Sequence, residues 1–201
     1  MLNGKKLKVD YHLKTAFESG YTNATLSLSK IAKQKIYFNN FHVSYYDLGD
    51  DFSVEQTLLN RDQKSVLLTT EIFGDLTGKS YLFLSNEEFE YLTSEIPEGN
   101  NPALNFKEEF AKELDNILSA AVITKLSNEL SVKMYGDVPV LIDGTSAKIK
   151  DVINDDFGEY VKQVYINSIS FSFDRDMKIA PRFIWVMDSD RLAEVVEKNG
   201  L

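Results

Sequence analysis

Cysteine is absent from the 201-residue chain, which excludes disulfides, thiolate nucleophiles and cysteine metal sites and fits a reducing compartment. Histidine is nearly absent: His12 and His42 are the two present, far apart in sequence. A catalytic triad or an imidazole metal cluster has almost nothing to draw on, and both histidines read as hydrogen-bonded or solvated structural residues. No stretch approaches the roughly 20 apolar residues that span a bilayer, and the N-terminus carries no apolar core of signal-peptide length. These absences lead us to expect a soluble cytoplasmic protein with no membrane partner. Positive charge is scarce too, with Lys+Arg 22 against Asp+Glu 31, a net charge of −9 and a pI near 4.8. A nucleic-acid partner is therefore not expected, because phosphate neutralisation needs clustered Lys and Arg. The one basic knot, Lys5, Lys6 and Lys8, reads as a solvated N-terminal tail. There is no phosphate-cradling loop and no dinucleotide fingerprint.

What is present suffices for a folded core: 43% hydrophobic residues, 12% of all residues aromatic. Residues 11–33 read as a helix weakened in its middle by Gly20, Thr22, Asn23 and Thr25. Residues 35–38 and 41–46, rich in aromatic and β-branched types, read as strand. After a polar connection over 49–64, residues 65–73 and 80–84 flank Gly74-Asp75-Leu76-Thr77-Gly78 as a β-hairpin whose glycines supply positive φ. Ser85 and Glu88 match a capping box that opens a helix to about residue 95. Pro97-Glu98-Gly99-Asn100-Asn101-Pro102 breaks structure, and we place a linker over 97–105.

Beyond the linker, 106–130 carries the strongest helical pattern, with Phe106, Phe110, Leu114, Ile117 and Ala121 as its apolar stripe. Strand-like stretches follow at 132–142, 161–173 and 179–187, and a helix near 191–198 closes the chain. This order repeats the first half: long helix, strand, connection, hairpin, short helix. Leu28-Ser29 aligns with Leu126-Ser127, and Lys35-Ile36 with Lys133-Met134, at one constant offset. We expect an α+β fold, a single domain of two tandem α/β repeats over about 10–96 and 106–201. An antiparallel sheet shared by both repeats would be covered by helices, among them the two long ones.

Chemistry has few places to sit. On the strong helix, Glu109, Glu113, Asn116 and Ala120 fall within a roughly 60° arc at about 100° per residue. Glu113 and Asn116 are surface neighbours, and Ala120 leaves room for a partner. A carboxylate and a carboxamide so placed suit a cationic group and a water. By spacing alone, the same residues read as the solvated face of an amphipathic helix.

The run from Glu113-Leu-Asp-Asn116-Ile117 through Ser119-Ala120 to Leu126-Ser127 resembles the second Glu-x-x-Asn helix of the CheC, CheX and FliY family, closest to CheC. There the motif reads much like EIGNI with an ALS ending; here Asp115 stands in place of the glycine. Pro139 falls close to the family's proline, and Phe73-Gly74-Asp75-Leu76-Thr77-Gly78 resembles the family's SGDLSG hairpin.

This resemblance implies an aspartyl-phosphate phosphatase for CheY-type response regulators in chemotaxis. Glu113 would pair with a regulator lysine, and Asn116 would position water in line with the phosphoryl group. No cofactor would be bound by this chain, the regulator supplying its own Mg²⁺. Glu109 stands where the family often has Asp or Ser, and it is not assigned a catalytic role. In the first repeat Thr15 replaces the Glu and Glu18 the Asn, so that site is expected to be inactive, its extra negative charge repelling a phosphoryl group. The alternative is a catalytically weak or inactive adaptor that binds a regulator or the receptor deamidase CheD. The flagellar-switch branch fits less well, since its members append a further C-terminal domain and this chain ends soon after its last helix.

Overall fold

In the computed structural model, which describes residues 2–32, 35–47, 64–94, 105–160, 163–173, 178–179, 181–187 and 189–200, the sequence periodicities resolve into five helices and eight strands. Helix α1 (Leu2–Ala32) starts well before the expected residue 11 and includes Lys5, Lys6 and Lys8, which are helical and not a tail. Lysine and leucine rank among the better helix formers, so the N-terminal stretch extends the helix at little cost. Strand β1 (Ile36–Asp47) joins the two expected strand pieces across a register shift between Asn39 and His42. The polar connection lies outside the described residues except Lys64, and the linker does so except Asn105.

Strands β2 (Lys64–Gly74) and β3 (Gly78–Ser85) form the expected hairpin, in register from Ser65 opposite Ser85 to Ile72 opposite Gly78. Gly74 supplies positive φ, at 121°. Gly78 does not; it is needed because a Cβ there would lie 2.1 Å from the Val186 carbonyl oxygen. The capping box is formed: Ser85 N–H donates to Glu88 at 2.8 Å and Glu88 N–H to the Ser85 hydroxyl at 3.2 Å. Helix α2 (Asn86–Ser94) follows.

Helix α3 (Phe106–Leu130) has the limits its periodicity gives and ends on Ser131 in the left-handed conformation, φ 53°. The single strand expected over 132–142 is two, β4 (Met134–Gly136) and β5 (Val140–Thr145). Pro139, which has no N–H to donate to a ladder, lies in the break. Part of the expected connection is helix α4 (Ser146–Tyr160), which buries Ile149 and Ile153 one turn apart. Strands β6 (Gln163–Phe173), β7 (Lys178–Ile179) and β8 (Arg182–Met187) precede helix α5 (Ser189–Lys198).

All strand pairs are antiparallel, in the order β1-β6-β8-β3-β2-β4, with β5 also on β2 and β7 on β6. Alternation sends Leu68, Ile72, Leu82, Leu84, Phe183 and Trp185 to one sheet face, against Phe17 and Tyr21 of α1 and Leu118 and Val122 of α3. Leu67, Tyr81, Phe83, Ile184 and Val186 take the other face, under Ile149 and Ile153 of α4. Each fully buried large side chain contributes about 1.5–3 kcal/mol, so the two long helices are held mainly by packing. On the α4 side, Lys79 bridges Asp156 at 2.8 Å and Glu71 at 2.9 Å, and the Tyr81 hydroxyl donates to Asp156 at 3.0 Å. Burial alone would lower the Lys79 pKa, but the two carboxylates outweigh it and raise it.

The strand order is unchanged when β1, β2 and β3 are exchanged for β4, β6 and β8. Each long helix also ends in the same contact: the Ser29 hydroxyl accepts from Ile36 N–H at 3.0 Å, and the Ser127 hydroxyl from Met134 N–H at 3.1 Å.

Candidate functional site

The outer face of α3 is set by what its inner face must bury. Ala111, Leu114, Asp115, Leu118, Ser119, Val122 and Leu126 turn inward, so Glu109, Glu113, Asn116 and Ala120 are exposed. Of the expected apolar stripe only Leu114 is fully buried; Phe106, Phe110, Ile117 and Ala121 are half-buried along its flank. The stripe is rotated because two polar residues, Asp115 and Ser119, occupy inward positions that hydrophobicity alone would not assign.

Glu113 and Asn116 stand side by side, and neither makes a hydrogen bond or ion pair among the described residues. Their functional groups are available to a partner. Glu109 differs: Lys112 lies 2.8 Å from Glu108 and 3.4 Å from Glu109, and these contacts raise the lysine pKa, the bond to Glu108 foremost.

Beside this face runs α1, antiparallel to α3. Gly20 meets Val122, where a Cβ would sit 2.7 Å from the Val122 Cα, and His12 Nδ1 lies 2.7 Å from Glu129. His12 is thus a structural link between helices; the His42 side chain lies outside the described ones. In this register the α1 residue abreast of Asn116 is Leu26, 63% exposed. Sequence reasoning passed over it, although a leucine among the polar positions of a helix was a readable signal.

Thr15 is half-buried and Glu18 exposed on α1. Lys14, one turn back, lies 3.9 Å from Glu18. Glutamate offers acceptors only, whereas a carboxamide both donates and accepts. The fold does not bring Thr15 and Glu18 together with Glu113 and Asn116. In the antiparallel register Glu18 comes abreast of Thr124, about 12 Å along α3 from Asn116 at 1.5 Å per residue.

Beneath the exposed pair lies a polar cluster that the sequence reading missed. Asp115, between Glu113 and Asn116 in sequence, is fully buried. Its Oδ2 accepts from the Thr70 hydroxyl at 2.6 Å, the Ser119 hydroxyl donates to its backbone carbonyl, and its Oδ1 has no partner. Burial pushes the carboxyl pKa up to about 7 against the lowering effect of Thr70 and Ser119. Nearby, Trp185 Nε1–H donates to the Tyr21 hydroxyl at 3.2 Å, and burial raises the tyrosine pKa. An acidic residue on the inward face of an apolar helix was the available signal.

The hairpin motif is an anchor. Asp75 exchanges backbone and side-chain bonds with Lys133 at 2.8 and 2.9 Å, and Arg191 of α5 donates to the Asp75 carbonyl at 3.0 Å. Among the described residues no group of three or more His, Asp or Glu is placed to hold a metal ion, and no helix is long and apolar enough to cross a membrane.

This arrangement, two long antiparallel helices on a shared antiparallel sheet, is a single-domain fold also found in solved structures of chemotaxis proteins, of FliY and of the FliM middle domain. FliY of Thermotoga maritima superposes with a TM-score of 0.68 at 16% identity, over 94% of each chain. The FliM middle domain of Vibrio alginolyticus gives 0.61 at 13%, over 92% of this chain and 98% of that one. CheX in the CheX-CheY-BeF3-Mg²⁺ complex of Borrelia burgdorferi gives 0.50 at 15%, over 86% and 97%. These likenesses do not single out CheC as the nearest branch. No protein-family model and no curated protein matches the sequence.

Proposed function

We propose that this protein belongs with the CheC, CheX and FliY group and dephosphorylates a phosphorylated CheY-type response regulator at the Glu113–Asn116 face. The observation that carries this reading is the exposed, unpaired Glu-x-x-Asn pair on a long helix of a fold shared with a CheX solved in complex with CheY. In this reading Glu113 docks a regulator lysine by a charge-assisted bond and draws it from the phosphoryl site. The Asn116 carboxamide enters that site and orients water in line with the aspartyl phosphate. Neither group is a strong base; phosphoryl transfer depends mostly on placement and charge stabilisation, and the regulator supplies its own Mg²⁺. Ala120 and Leu26 provide the small and apolar surroundings for docking. A cytoplasmic setting goes with this role.

The two halves are read as a duplicated unit, supported by the exchangeable strand order and the paired Ser29 and Ser127 contacts. One site then works, and the equivalent one at Thr15 and Glu18 has been lost.

The second reading is an adaptor that binds a regulator or CheD without hydrolysis. It is favoured by the loss of one of the two equivalent sites, where Thr15 and Glu18 stand in place of the carboxylate and the carboxamide. The lifetime of a phosphorylated regulator separates the readings: a phosphatase shortens it, and an adaptor binds without changing it.

A further inference from the structure

We propose that Asp115 is a positioning residue: protonated, it lets α3 seat on the sheet, and ionised, it loosens that seat, so that the presentation of Glu113 and Asn116 depends on pH. The inference deepens the phosphatase reading and rests on it for its functional consequence, although the change in α3 can be observed without any activity.

The geometry carries the argument. Asp115 lies fully buried on the inner side of the helix whose outer side presents Glu113 and Asn116. Its polar tie to the sheet is the 2.6 Å bond from Thr70 of β2. Ser80 stands opposite Thr70 on β3 and faces the same way, its hydroxyl buried and without a partner, as is Asp115 Oδ1. Trp185 of β8, opposite Ser80, turns its indole N–H to Tyr21 of α1. The described groups facing Asp115 across this layer, Thr70, Ser80, Trp185 and Tyr21, are therefore neutral.

The charges on elements packed against α3 are placed elsewhere. His12 of α1 is engaged with Glu129 at the far end, and Glu90 of α2 with Lys107 at 2.5 Å. Glu71 of β2 points to the opposite sheet face toward Lys79, and Tyr135 of β4 and Asp143 of β5 are exposed. On α3 itself Lys112 is held by Glu108 and Glu109. Among the described residues a carboxylate formed at Asp115 has no counter-ion, and a buried charge without one is strongly disfavoured. The structure relieves it by moving α3 outward or admitting water. Burial places the proton loss close to neutral pH, where such a change would be felt.

The test follows the intact protein by hydrogen exchange, corrected for the intrinsic pH dependence, together with dephosphorylation of a cognate regulator at pH 6 and pH 8. We expect the protection of α3 amides relative to those of β3 to fall about tenfold between these values in wild type, and dephosphorylation to fall with it. Asp115→Asn, equal in shape and uncharged, keeps both at their pH 6 level. Thr70→Val, which removes a bond favouring the carboxylate, moves the wild-type midpoint to higher pH. Parallel α3 protection in wild type and Asp115→Asn across this range, or an unmoved midpoint in Thr70→Val, would overturn the inference. A failure of the phosphatase reading looks different: wild type leaves regulator lifetime unchanged at every pH.

Discussion

Ser29 and Ser127 close the two long helices with the same bond, each hydroxyl accepting from the backbone N–H seven residues on, at 3.0 Å from Ile36 and 3.1 Å from Met134. The contact fixes how each helix hands over to its first strand. Replacing either serine by alanine leaves a partly buried N–H unsatisfied, which costs about 1–2 kcal/mol. Denaturant unfolding of Ser29→Ala and Ser127→Ala should show similar losses, with the m-value unchanged.

At Gly20 the backbones of α1 and α3 approach closely. An added Cβ would meet the Val122 backbone, which cannot rotate away as a side-chain tip can. Gly20→Ala should destabilise the fold by about 1–3 kcal/mol through overpacking, despite the better helix propensity of alanine. A gain in thermal midpoint would contradict this packing account.

Asp115 makes stability depend on pH. In the unfolded chain it ionises near 3.9, in the fold at about 7. Between these values the folded state keeps a proton that the unfolded state has lost. The stabilisation is therefore full below about pH 4 and is lost as pH rises through about 7, at about 1.4 kcal/mol per unit. Urea unfolding at pH 5 and pH 8 should show a wild-type decline on this account that is absent in Asp115→Asn.

The first-repeat position tests which groups are missing there. Thr15→Glu combined with Glu18→Asn restores the carboxylate and the carboxamide on α1 and removes the misplaced charge. Because the restored site on α1 and the Glu113–Asn116 site are about 12 Å apart along the helices, their effects should add. Per-molecule dephosphorylation should rise toward roughly twice the wild-type rate at saturating regulator, and no change would mean that other α1 residues, the exposed Tyr11 one turn before Thr15 among them, also block the site.

Elements whose signals are local were legible in the sequence. The limits of α3, the Ser85–Glu88 box and the β2–β3 hairpin depend on residues close along the chain, and each formed as read. What was missed depends on partners distant in sequence. The inward turn of Asp115 is set by Thr70 on β2, and the need for Gly78 by the Val186 carbonyl on β8. Helix α4 was read as part of a connection because, among its described apolar side chains, Ile149 and Ile153 alone bury fully amid many charges, too narrow a stripe to stand out. The Glu113–Asn116 pair was visible as a motif; its freedom from local partners and the polar cluster beneath it were not.

The central claim is that the Glu113–Asn116 face accelerates loss of a phosphoryl group, and the most direct test is the lifetime of a phosphorylated cognate regulator. Intact protein should shorten it, and Glu113→Ala/Asn116→Ala, exposed changes that leave the fold intact, should reduce that acceleration by on the order of 100-fold. An unchanged lifetime with intact protein, or full acceleration by the double variant, would contradict the account.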